Sequence, residues 1–213
     1  MLEQFGNIPI DSAVLYNITD RYKFKRNKVA SMIKCGDLIR LKKGLYVVSD
    51  TISRKPLSRE LIANHLYGPS YISFETALAF YGMIPEKVFM VRSATFKRAK
   101  QFENTVGNFE YITVPQGYYS IGIIRQTIDD DCTYFLATPE KALCDLILAT
   151  PNLRLQSVKA MQAYLEEDLR IDFDILKTLG KDIVSQCVDI GKKKVELGLL
   201  LKFLENNYTH GLN

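Results

Sequence analysis

YKFKRNKVASMIKCGDLIRLKKGLYVV, from Tyr22 to Val48, holds most of the chain's excess positive charge. Between Arg21 and Lys43 stand nine bases, Arg21, Lys23, Lys25, Arg26, Lys28, Lys34, Arg40, Lys42 and Lys43, and one acid, Asp37. This segment carries +8 in a 213-residue chain of formal net charge +4, so the remaining 190 residues carry −4. Helical periodicity over about Arg26 to Cys35 puts Val29, Met32 and Ile33 on one side. Asn27, Ala30, Ser31 and Lys34 fall opposite, with Lys28 on the flank. One face is apolar and the other is small, polar and basic. Gly36 is placed to end the helix as a left-handed glycine.

The residues after Gly36 predict a β-hairpin turning at Lys43-Gly44. In that register Lys42 faces Leu45, Leu41 faces Tyr46, Arg40 faces Val47 and Ile39 faces Val48. Opposed residues share a face. Ile39, Leu41, Tyr46 and Val48 then form an apolar face, and Arg40 and Lys42 lie with Leu45 and Val47 on the exposed one. A first helix is expected over Ile8 to Ile18, capped by Asp11 or Ser12. Helix, turn, helix and basic hairpin are the layout of a winged helix-turn-helix, whose second helix fits the major groove of duplex DNA. Lys25, Arg26, Lys28, Arg40, Lys42 and Lys43 are the expected phosphate contacts. Asn27, Ser31 and Lys34 are the expected base-edge contacts.

Beyond this segment the chain changes character. Ser49 to Ser58, SDTISRKPLS, is a small and polar connector, and a domain boundary is expected at Lys55. Residues 1–55 hold eleven bases and five acids, or +6; residues 56–213 hold seventeen and nineteen, or −2. The second part opens with helices begun by Ser58 and Ser73 and ended near Gly68 and Gly82. KVFMVRSATF, NFEYITV, IGIIRQTI and CTYFLAT read as strands. Thr138-Pro139 starts a further helix. Helices are expected from Ser157 to Asp168, Phe173 to Leu179 and Lys181 to about Asn207, with Val195, Leu199 and Phe203 as a core stripe. The expected class is α+β: an N-terminal winged helix-turn-helix over 1–55, then a mixed α/β domain over 56–213 with a mainly antiparallel sheet and a helical C-terminus.

The composition, 47% hydrophobic and 24% charged, is that of a globular protein. No apolar run approaches the roughly 20 residues that span a bilayer, and no basic region leads into an apolar run at the N-terminus. A cytoplasmic chain is expected. Cys35, Cys132, Cys144 and Cys187 are widely spaced, which predicts buried free thiols and no zinc site. No phosphate-loop, dinucleotide, metalloprotease or serine-hydrolase motif is present. No cofactor is expected, and the chain reads as a non-enzyme. His65 reads as a helix-surface or core histidine. Arg92, Lys97, Arg98 and Lys100 form a second basic cluster, read as a solvated loop between strands, with an auxiliary contact to nucleic acid or to an acidic partner as its functional alternative. Asp129, Asp130 and Asp131 read as a turn. With Glu140 they could ligate a metal, which keeps one alternative open: a winged helix fused to a nuclease-like, metal-dependent domain.

Three segments in order resemble the AbiEi-type antitoxins: GDLIRLKKGLYVV (Gly36 to Val48), YISFETALAFYGMIPE (Tyr71 to Glu86) and FLATPEKALCDLI (Phe135 to Ile147). The resemblance spans about Lys25 to Ala149; no motif of that family is matched after Pro151. It implies a transcriptional regulator of a type IV toxin–antitoxin, abortive-infection system. Such a protein represses its own operon by binding inverted repeats in the promoter. It counters a nucleotidyltransferase toxin, generally without a stable complex. The resemblance puts the repressor role on Lys25 to Lys43 and assigns the antidote role to no residue.

Overall fold

A computed structural model describes residues 2–129 and 132–209. The N-terminal elements are strand β1 (Ile10–Asp11), helix α1 (Ser12–Ile18), helix α2 (Lys25–Lys34) and strands β2 (Leu38–Lys42) and β3 (Leu45–Val48). The Asp11 carboxylate accepts the Val14 N–H at 2.9 Å and caps α1. Residues 10 and 11, expected in the helix, instead form β1 and pair with β3, so the small sheet runs β1-β3-β2. Leu15, Val29, Met32, Leu38 and Val48 bury a small core with Leu2 and Ile10.

The hairpin turns at Lys43-Gly44, with Gly44 at φ 83°, but its register differs from the expected one. Leu38 pairs with Val48, Ile39 with Val47, Arg40 with Tyr46 and Lys42 with Leu45. Leu41 is an extra residue on β2, a bulge that shifts everything before it by one. Leu38 and Val48 therefore face the small core, while Leu41, Leu45 and Val47 are buried in a second, larger one. The expectation of one wet face fails because the hairpin is covered on both sides.

Two short elements, α3 (Asp50–Ser53) and α4 (Arg59–Leu66), lead into a six-stranded sheet of order β6-β7-β5-β4-β9-β8. Its strands are β4 (Tyr71–Ile72), β5 (Met90–Thr95), β6 (Lys100–Asn104), β7 (Gly107–Thr113), β8 (Ile123–Asp129) and β9 (Cys132–Ala137). The sheet is mixed: β4·β5, β6·β7 and β8·β9 are antiparallel, and β4·β9 and β5·β7 are parallel. Helix α4 covers one face, where Tyr111 Oη donates to the Ala63 carbonyl at 2.6 Å. Helices α5 (Phe74–Phe80) and α7 (Pro139–Ala149) cover the other; α6 (Gln116–Tyr119) lies between β7 and β8 in the chain.

The C-terminal part is helical: α8 (Val158–Ala163), a π-helical turn at Tyr164–Asp168, α9 (Phe173–Leu176), α10 (Lys181–Ile190) and α11 (Lys194–Thr209). The core stripe expected on α11 holds at Phe203, which is buried, and at Leu199, which packs half-buried against the core, but fails at Val195, which is 66% exposed; Leu197, Leu200 and Leu204 complete the buried side. Among the described residues no helix is long and apolar enough to cross a membrane.

Candidate nucleic-acid interface

Helix α2 ends as the sequence predicts. The Asp37 N–H donates to the Met32 carbonyl at 2.9 Å and the Gly36 N–H to the Ile33 carbonyl at 3.1 Å, with Gly36 at φ 80°. This is the Schellman arrangement. Val29 and Met32 are buried, which leaves Asn27, Ala30, Ser31 and Lys34 exposed on the opposite side, with Arg26 exposed at the helix start. The first turn of α2 holds Lys25, Arg26 and Lys28, where the helix dipole favours acids and disfavours cations. The placement costs helix stability and adds side-chain charge to the positive helix end, a combination that attracts anions.

Not all of these cations are equally free. Lys25 Nζ forms an ion pair with Asp20, and that hydrogen bond and charge hold the Asp20 carboxyl below its ordinary range. Tyr22 lies between two cations, with Arg21 5.1 Å and Lys28 5.2 Å from its ring centroid. Arg26, Lys34, Arg40 and Lys43 are exposed and make no ion pair among the described residues. Lys42 is different. It is half-buried, and its Nζ donates to the Leu66 carbonyl at the end of α4 at 2.6 Å. Burial, then the charges of Lys100 and Lys97, lower its pKa below the ordinary lysine value.

The second basic cluster divides. Arg92 lies within β5 and not in a loop; it pairs with Glu75 and with Glu110 and sits 5.0 Å from the Phe74 ring centroid. Lys97 donates to the Gly68 carbonyl at 2.6 Å, and Lys100 opens β6, 4.8 Å from the Phe102 centroid. Arg98 is exposed between them. Lys97, Lys100 and Lys42 thus converge beside Tyr67 and Phe102.

A polar cluster inside the second part escaped the sequence reading. Lys141 and Asp145, one turn apart on α7, are fully buried with Nζ and Oδ1 3.3 Å apart. Lys141 also donates to the Tyr118 carbonyl at 2.9 Å and lies against the Tyr118 ring. Asp145 Oδ2 accepts Tyr71 Oη at 2.9 Å and Ser73 Oγ at 2.6 Å. Ser73 stands at the start of α5, but its hydroxyl serves Asp145 and does not cap the helix. Gly122, at φ 59°, makes room: a Cβ there would come within 2.9 Å of Lys141 Cβ. Burial first, then Asp145, pushes the Tyr71 and Tyr118 phenols well up. A lysine and an aspartate four apart, with apolar residues between and after them over Lys141 to Ala149, were the available signal. The Lys141 and Asp145 side chains have no exposed surface, and their bonds tie α7 to β4, to the start of α5 and to α6.

Glu140 Oε1 accepts the Gly180 N–H at 2.8 Å, at the start of α10. Asp129 ends β8, and Asp130 and Asp131 lie outside the described residues. His65 lies at the surface of α4, and partial burial of its ring lowers its pKa below the ordinary histidine value. Of the four free cysteines, Cys132, Cys144 and Cys187 are buried; Cys35, expected inside, is exposed at the end of α2. Among the described residues no three His, Cys, Asp or Glu side chains converge as metal ligands. No family model and no curated protein matches the chain.

Proposed function

We propose that this chain is a non-enzymatic, DNA-binding transcriptional regulator acting in the cytoplasm. Its residues 1–55 act as a winged helix-turn-helix, with 56–213 as the companion domain. Helix α2 lies in the major groove, where Asn27, Ser31 and Lys34 meet base edges. Arg26, Lys28, Arg40 and Lys43 meet phosphates, with Lys25 in reserve behind its Asp20 partner. The observation that carries this reading is the outward face of α2. It is polar, carries Lys34 and no acid, while beside it the exposed Arg26 and the half-buried Lys25 and Lys28 crowd the helix start, where cations cost stability. A merely solvated face has no need to bear that cost.

The three segments that resemble AbiEi-type antitoxins extend the reading. On that basis the DNA is an inverted repeat in the chain's own promoter, and the protein is the antitoxin of a type IV toxin–antitoxin pair. Its functional counterpart is a nucleotidyltransferase toxin, opposed without a stable complex. The internal bond of Glu140 disfavours the metal-dependent alternative, since that carboxylate already serves α10.

Fluorescence anisotropy with a duplex from the chain's own upstream region tests the core of the proposal. Binding is expected to weaken with salt with a log–log slope of about −0.9 per phosphate contact. Arg26→Ala is expected to reduce that slope by about one contact and to weaken binding to every sequence alike. Absence of affinity for any duplex in dilute buffer would sink the proposal.

A further inference from the structure

The hairpin β2–β3 belongs to two cores at once, and its fastening to the second one is specific. The Leu41 bulge turns β2 so that Leu41, Leu45 and Val47 enter the larger core. The Leu41 carbonyl accepts Asn104 Nδ2, from the end of β6, at 3.1 Å. The next residue, Lys42, lies with Nζ 5.9 Å from the Phe102 ring centroid and 2.6 Å from the Leu66 carbonyl oxygen. Leu66 is the last residue of α4, where carbonyls lack intrahelical partners. A cation is the favoured donor at such an end. Burial and the two neighbouring ammonium groups work against the charged form of Lys42. The bond to Leu66 and the Phe102 ring oppose them.

We infer that Lys42 is a positioning residue: it fastens the hairpin to the C-terminal end of α4, and so sets where Arg40 and Lys43 stand relative to α2, without itself contacting nucleic acid. Its consequence for DNA rests on the DNA-binding proposal above; the fastening does not. Phosphate contacts made by long side chains adapt to a hairpin that moves, whereas base contacts need a fixed docking geometry. Cutting the attachment therefore harms discrimination more than it harms general affinity. Ordering a loosened hairpin on binding also carries a cost that the fastened hairpin avoids.

The full chain is compared with Lys42→Met, Lys42→Arg, Asn104→Ala and Lys43→Ala. Two readouts are used: hydrogen exchange at the amides of residues 38–48, and anisotropy with the upstream duplex and with a scrambled one over a salt series. Lys42→Met, which keeps the stem, is expected to speed hairpin exchange by about tenfold or more. It should weaken the upstream duplex by about tenfold and the scrambled duplex by only about twofold, with the salt slope unchanged. Lys42→Arg restores both, because a guanidinium can donate to the same carbonyl. Asn104→Ala shows the same pattern at smaller size and guards against a Lys42 variant that fails to fold. Lys43→Ala should lower the slope by about 0.9 with exchange unaltered. A Lys42→Met protein whose slope falls by about 0.9 while its hairpin exchange is unchanged overturns the inference, because Lys42 is then a phosphate contact. If the wild type binds neither duplex, only the DNA-binding proposal falls, and the exchange experiment still decides the attachment.

Discussion

Helices α2 and α7 both carry lysine in their first turn, and they dispose of it in opposite ways. In α2 the buried residues are Val29 and Met32 alone, so the far side stays wet and keeps Asn27, Ser31 and Lys34 in solvent. In α7 Ala142, Leu143, Cys144, Leu146 and Ile147 surround the axis with buried apolar groups. No wet side remains, and Lys141 takes internal partners: Asp145, the Tyr118 carbonyl and the Tyr118 ring. What a lysine does is thus decided by what the rest of its helix must bury. A buried pair of this kind adds little net stability over apolar residues of the same size, but breaking it leaves a charge stranded.

The sharpest break of this comparison is Asp145→Ala. It strands the Lys141 ammonium and removes the acceptor of Tyr71 and Ser73. A loss of about 3–5 kcal/mol is expected, seen as a drop in Tm of about 10 °C or more. The double change Lys141→Met with Asp145→Leu should recover most of that loss. A single variant within about 1 kcal/mol of wild type would mean that the pair is not a keystone of the fold.

Alkaline titration probes the same half of the comparison. Burial raises the phenols of Tyr71, Tyr111 and Tyr118, and pushes Tyr81 and Tyr134 up to about 12, from an ordinary value of 10.0. A folded-state pKa above the unfolded one means that the folded state holds the proton longer. The stabilisation is therefore full below pH 10 and is lost as pH rises through 10 toward 12. Urea midpoints should be steady up to about pH 9 and fall beyond it. A midpoint that stayed level to pH 12 would contradict the burial of these rings.

Asn27→Ala probes the other half. Because Asn27 is exposed on the far side of α2, folding stability should change by less than about 0.5 kcal/mol. Discrimination among duplexes should change by about 1–3 kcal/mol. Competition binding with single-base variants of the upstream duplex measures it, and a uniform effect across all variants would move Asn27 from base contact to phosphate contact.

Where the sequence reading succeeded, the signal was local. Asp11 caps α1, Gly36 ends α2, and Thr138 accepts the Lys141 N–H at the start of α7 with Pro139 in its first turn. Each depends on groups within a few residues of one another. The hairpin register failed because the alternation of β2 fits two pairings, and only the second core chooses the bulged one. Strand β6 was missed because KQFEN is polar; its pairing with β7 makes it a strand. In α11 apolar residues recur on more than one side, and packing against α7, α8 and α10 selects Leu197 over Val195.

By itself, then, the sequence determined the charge asymmetry, the cap of α1, the end of α2, the start of α7, and the outward face of α2. These follow from composition, from hydrogen bonds spanning three to five residues, and from the period of a helix. Tertiary structure alone decided that Lys42 turns inward to α4, that Ser73 serves Asp145 in place of its own helix, and that Lys141 is buried. Those outcomes depend on partners 24, 72 and 23 residues away along the chain. Desolvation acts on whatever the fold brings together, and no local pattern encodes that neighbour.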